Sequence, residues 1–102
     1  MKNKIGLALS VLLLASAGYA QAGDAAAGKA KSSACVSCHG LNGVSSMGMN
    51  PNLAGQKKEY LAKSIKDYRD GKRDHAMMKS MVGGLSDADI DNLDAHYSGL
   101  KP

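Results

Sequence analysis

Hydrophobic positions fall into two unlike patterns along this chain. Residues Ile5 to Ala15 form an almost unbroken apolar run behind Lys2 and Lys4, whereas beyond Gly23 apolar side chains stand singly, at helical spacing, among polar ones. The run is too short to cross a membrane, which takes roughly 20 apolar residues. With its basic start and the small residues that follow, it has the layout of a secretory signal peptide. Cleavage fits after Ala20 (Gly18-Tyr19-Ala20) or Ala22 (Ala20-Gln21-Ala22). The second is preferred, giving residues 1–22 as signal peptide and 23–102 as one domain.

Within that domain, Asp24 is a suitable N-cap for an alanine-rich segment, and the pattern predicts a helix reaching to about Cys35. A glycine inside it, Gly28, suits either close approach of another backbone or simple tolerance at that position. Gly40 to Gly55, rich in glycine, asparagine and serine and including Pro51, reads as a long loop that wraps something. Helical periodicity returns over Lys57 to Asp70, where Leu61, Ile65 and Tyr68 share a face, and Gly71 ends it. A second loop, Lys72 to Leu85, carries Met77, Met78 and Met81. Ser86 with Asp89 three residues on predicts a capping box opening a last helix, whose Ile90, Leu93 and Tyr97 align. No segment reads as a convincing strand. The expected class is all-α: three main helices and two long loops.

Composition makes this fold puzzling. From Gly23 onward there are eleven Val, Ile or Leu residues and three tyrosines, with no Phe or Trp. Eighty residues with so few large apolar groups make a thin core, in the size range where a domain usually needs a disulfide, a metal or another staple. Two cysteines cannot make a multi-disulfide framework. Without Lys2 and Lys4 the basic count falls from 13 to 11 against nine acids, a charge of +2, too small to argue for nucleic acid. Lysines and arginines gather in the middle of the chain, at Lys57, Lys58, Lys63, Lys66, Arg69, Lys72, Arg73 and Lys79. Asp87, Asp89, Asp91 and Asp94 crowd its end. The basic stretch suits either a solvated helix face or a docking patch for an acidic partner.

Cys35-Val36-Ser37-Cys38-His39 supplies the candidate staple, because C-x-x-C-H is the attachment motif of c-type haem. On a short helical segment, residues three apart face the same way, so both thiols reach the vinyl groups along one side of a porphyrin. His39 is then carried beneath the ring, where its imidazole can bind iron. Thioether formation also consumes two thiols that export would expose to an oxidising compartment. The rival readings are weaker. A thioredoxin-like site expects a βαβ context, a zinc site would have to recruit His75 and His96, and a disulfide across two residues closes too small a ring to stabilise much. Five methionines, Met47, Met49, Met77, Met78 and Met81, and two histidines remain for the second axial position. Met47 and Met49 follow His39 too closely to cross easily to the far side of a haem, while the other three come after a complete helix.

Several segments together resemble the class I c-type cytochromes, most closely the short bacterial periplasmic members and each lobe of the dihaem ones. They are Cys35 to His39, Pro51-Asn52-Leu53-Ala54-Gly55-Gln56, Met78-Lys79-Ser80-Met81 and Leu85-Ser86-Asp87-Ala88-Asp89-Ile90. The likeness covers essentially the whole chain after Gly23. It implies the fold of that family, wrapped around one haem c attached through Cys35 and Cys38. It implies His39 and Met78 as the iron ligands, Met78 because it opens the M-x-x-M segment seven residues before Leu85, with Met81 second in order and Met77 third. It implies that the Pro51 carbonyl accepts a hydrogen bond from Nδ1 of His39, that Leu53 lies on the haem face, and that Gly28 and Tyr97 mark where the first and last helices cross. Tyr60 and Tyr68 fit helix-face packing first, with a hydroxyl near a haem propionate as the alternative.

An iron held by both imidazole and thioether has no open position, which points to electron transfer rather than catalysis. The expected protein is therefore a periplasmic one-electron carrier and not an enzyme. Its partners would be redox proteins rather than nucleic acid, and the mature chain would have no transmembrane segment. An electron-accepting subunit of a larger dehydrogenase or oxidase is the alternative, and a ligand-binding haem sensor or enzyme a more distant one. The haem would also supply the missing core, so the chain without it should be largely unfolded.

Overall fold

The computed structural model describes residues 23–102, and the expected signal peptide lies outside them. Among the described residues five α-helices follow one another: α1 (Ala25–Lys31), α2 (Val36–His39), α3 (Lys58–Arg69), α4 (Ala76–Val82) and α5 (Asp87–Ser98). No strand occurs among the described residues, so the architecture is all-α.

Helix α1 starts where the sequence places it. The Asp24 carboxylate accepts from the backbone N–H groups of Ala26 and Ala27 at 2.9 and 3.2 Å, satisfying two orphan donors of the first turn. The helix ends earlier than the expected Cys35, at Lys31, and tightens into a 3₁₀ turn over Ser32–Ala34. The Ser32 hydroxyl donates to the Lys29 carbonyl at 2.7 Å and so competes with the helical ladder. Cys35 follows this turn as the N-cap of α2, which carries Cys38 and His39.

A larger difference concerns the second loop, part of which is the helix α4. Its Ala-Met-Met-Lys-Ser-Met-Val sequence is made largely of strong helix formers. Two features conceal it. The segment has only seven residues, too few for a periodic pattern to stand out, and its N-cap is His75, which is not a usual cap residue.

The core is as thin as the composition implied. Leu61 of α3 and Leu93 and Tyr97 of α5 form its centre, with Cys35, Leu53, Leu85 and Leu100 packed against it. Helix α1 lies across α5 at Gly28, where an added Cβ would stand 1.9 Å from the Asn92 carbonyl oxygen. That contact gives this glycine its reason. Arg69 at the end of α3 reaches the start of α5, donating from Nη1 to the Leu85 carbonyl at 3.2 Å and to Asp87 Oδ1 at 2.8 Å. The capping box at Ser86 and Asp89 is fully formed: each side chain accepts from the other residue's backbone N–H, at 3.1 and 3.0 Å.

Candidate functional site

Helix α2 is a single turn, and it holds the reactive residues because its two ends are fixed. The N–H of His39 donates to the Cys35 carbonyl at 2.9 Å, which winds the C-x-x-C-H segment into helix and puts both cysteines on one side. Gly40 then leaves the helix at φ +88°, where a side chain would strike the Val44 carbonyl. The loop after it folds back as a brace. The Cys38 carbonyl, an orphan at the helix end, accepts from Ser45 Oγ and from Asn50 Nδ2, both at 3.1 Å. Asn52 Oδ1 accepts the Ser45 N–H at 2.7 Å. Ser45, Asn50 and Asn52 were not singled out from the sequence; short polar side chains in a loop beside a helix end were the available signal.

His39 is buried, at 7% exposure. Its Nδ1 lies 2.9 Å from the Pro51 carbonyl oxygen. A carbonyl can only accept, so Nδ1 carries the proton and Nε2 keeps its lone pair for a metal. The loop from Gly40 to Gly55 thus reaches back to orient the imidazole, as the carbonyl partner of a metal-binding histidine does.

Cys35, Cys38 and His39 open on a cavity of about 380 Å³ whose walls include Pro51, Leu53, Leu61, Ile65, Tyr68, Met78, Val82, Leu93 and Tyr97. All six residues singled out for haem or iron, namely Cys35, Cys38, His39, Pro51, Leu53 and Met78, border this space. Met77 and Met49 border it too, whereas Met47 and Met81 do not. Met78 is half-buried, and the other four methionines are exposed, Met49 at 98%. His96 faces α1 instead, with its Cβ 3.0 Å from the place of a Gly28 side chain. Among the described residues no group of three or more His, Cys, Asp or Glu could hold a metal ion, so a zinc site built on His75 and His96 is not formed.

The electrostatics match an apolar cavity. Burial pushes the Cys35 thiol above its ordinary pKa, and the nearby Cys38 adds to the rise, while the Tyr97 hydroxyl opposes it. The Tyr97 hydroxyl is buried beside the Cys35 thiol. Desolvation, with Cys35 close by, pushes it up to about 12, so it stays neutral. The donors around the cavity are two thiols, the imidazoles of His39 and His75 and the thioethers of Met49, Met77 and Met78, with no carboxylate. These are soft and intermediate donors on apolar walls, which suit a covalently attached haem and its iron.

A small all-α domain that opens a C-x-x-C-H turn onto an apolar cavity is a c-type haem protein. The cytochrome c family profile matches residues 25–97, and the chain belongs to that family. It is 51% identical over 83 residues to cytochrome c-554(548) of Halomonas halodenitrificans, covering 78% of this chain and all of the relative. It is 42% identical over 100 residues to cytochrome c4 of Pseudomonas aeruginosa, covering 97% of this chain and 49% of the relative. Among solved structures, reduced recombinant cytochrome c4 from Pseudomonas stutzeri superposes with a TM-score of 0.74 at 37% identity, over 78% of this chain and 47% of that one. The chain thus spans about half the length of the cytochromes c4 and the full length of the c-554(548) relative. It is an electron-transfer protein carrying one haem c on Cys35 and Cys38.

Proposed function

We propose that the chain is a periplasmic one-electron carrier whose iron is held by His39 and Met78, and that it shuttles between redox proteins rather than acting as an enzyme. The observation that carries this reading is the His39 imidazole, oriented by Pro51 at 2.9 Å and facing the cavity that Met78 also borders. Residues 1–22 would direct export and be removed, in keeping with a basic start and an eleven-residue apolar run.

Bound haem supplies an iron that alternates between the ferric and ferrous states. Protein side chains set the terms of that exchange. His39 presents Nε2 in a fixed tautomer, and the hydrogen bond to Pro51 raises the basicity of the ring. Met78 offers a thioether, which favours the ferrous state and raises the potential relative to a second imidazole. Leu53, Leu61, Leu93 and Tyr97 exclude water from the buried end of the cavity. Met49, Tyr60 and Met77 border it and are exposed, which leaves its mouth open to a brief encounter with another redox protein.

The test is the mass and visible spectrum of the exported protein. One haem's added mass and a low-spin His/Met spectrum are expected; the bare polypeptide mass would sink the reading. Met78→Ala should keep haem attached, lower the potential and admit exogenous ligands. Unchanged values would move the assignment to Met77, which also borders the cavity.

A further inference from the structure

The helix that carries Met78 begins in an uncommon way. His75 is its N-cap, and the imidazole Nδ1 accepts the backbone N–H of Met78 itself at 3.2 Å. Asn, Asp, Ser and Thr are the usual residues at such a position, and histidine is not among them. The imidazole adds a ring that can be held from the side. Tyr68, near the end of α3, meets it edge-on with centroids 6.0 Å apart and planes at 74°. The Arg73 guanidinium lies 4.6 Å over the same tyrosine. Arg73, Tyr68, His75 and Met78 all border the haem cavity.

This series of contacts links α3 to the backbone of one methionine. Helix α4 has only seven residues, too few to be stable without help. The N–H groups of its first turn have no partner within the helix. Met78 is the third helical residue, so its amide is one of those orphans, and His75 satisfies it. Met77 and Met81, both exposed, gain no comparable fixing from this contact.

We propose that His75 is a positioning residue for the distal ligand: by capping the amide of Met78 it fixes where α4 begins and so how the Met78 sulfur is presented to the cavity. The inference rests on the reading of Met78 as an iron ligand and adds a residue that governs it.

The experiment uses the haem-loaded protein with His75→Ala, His75→Asn and Met78→Ala. Three quantities are measured: the midpoint potential, the sulfur-to-iron charge-transfer band of the oxidised form, and the affinity of that form for added imidazole. His75→Ala should bind imidazole about fivefold more tightly, the ratio expected when a cap of ordinary strength is lost, with a weaker band and a lower potential. His75→Asn keeps an acceptor at the cap and should recover most of the difference. An unchanged His75→Ala protein, or an Asn variant no better than the Ala variant, would overturn the proposal. If Met78→Ala also leaves band and potential untouched, the ligand assignment falls with it. If Met78→Ala changes both while His75→Ala changes neither, only the role of His75 falls.

Discussion

The crossing of α1 with α5 and the segment carrying α4 are held together by different means. At the crossing, Gly28 lets one backbone touch the other, Asn92 Oδ1 accepts the Asp24 N–H at 2.9 Å, and Lys31 approaches Asp89 at 3.7 Å. Every partner there is a protein atom. Helix α4 instead buries Val82 and leaves Met77 and Met81 exposed, and its inner side borders the cavity. The first region is complete in the chain itself, and the second is completed by the haem.

Removing the haem is the most severe way to break this comparison. A dry cavity costs about 24 cal/mol per Å³, so 380 Å³ sets a ceiling of about 9 kcal/mol. Met49, Tyr60 and Met77 leave the mouth of the cavity exposed, and water entering there would lower the figure. Even part of it rivals the whole stability of an 80-residue domain, about 4 to 12 kcal/mol at typical values per residue. The Cys35→Ser/Cys38→Ser protein, prepared without haem, should therefore lose most of its helical circular dichroism and its cooperative urea transition. A haem-free chain with native helix content would show that the α4 side needs no cofactor after all.

Gly28→Ala strikes the other region. The new Cβ would meet backbone rather than a movable side chain, so α1 must shift, at a cost of about 1 to 3 kcal/mol as in other overpacked contacts. Thermal unfolding should show the loss, while the visible spectrum and potential stay unchanged. A changed spectrum would mean that the crossing and the haem side are not separable.

How far the sequence could be read follows the same division. Asp24, Ser86 and Asp89 each have one local role and took the form their chemistry implied, while Gly28 owes its place to the backbone of α5. The C-x-x-C-H turn was equally legible, since spacing alone puts its cysteines on one side of a helix. Helix α4 was not, because seven residues are too few for its period to stand out and a histidine replaces the usual cap. Nor was the brace formed by Ser45, Asn50 and Asn52. Their partners, the Cys38 carbonyl and one another, are defined only once the loop has folded back.

Asp94 supplies a pH test of the protein-only interior. It is buried at 2% exposure, and its Oδ1 has no hydrogen-bond partner. Desolvation, helped by the charge of Asp91 and opposed by Lys58 and Lys66, pushes its pKa up to about 7. The folded state thus holds the proton more tightly than the unfolded chain, whose value lies near 3.8. This contribution to stability is full below about pH 4 and lost as pH rises through 7. Asp94→Asn should flatten that slope, raising the melting temperature relative to the parent at pH 8 more than at pH 4. Equal shifts at both pH values would refute a buried neutral carboxyl.

The smallest effect sharpens the comparison most, because it sets one helix cap against another. Ser86 caps α5 as His75 caps α4, each accepting a backbone N–H three residues on. Ser86→Ala removes that acceptor and should cost about 1 kcal/mol of global stability. It leaves in place the Ser86 backbone N–H, which chiefly holds the Asp89 carboxyl below its usual range. That depressed value means the Asp89 contribution is present above about pH 4 and lost as pH falls through the folded pKa. The Ser86→Ala protein should therefore keep the parent's acid dependence, with nearly the same loss at pH 7 as in acid. Neither proposed iron ligand lies on α5, so the charge-transfer band and imidazole affinity should match the parent. If Ser86→Ala changes those haem-side readouts as much as His75→Ala does, cap loss anywhere loosens the whole domain. If only His75→Ala changes them, the two caps differ in what they hold: one a helix in a protein core, the other a ligand at the edge of a cofactor.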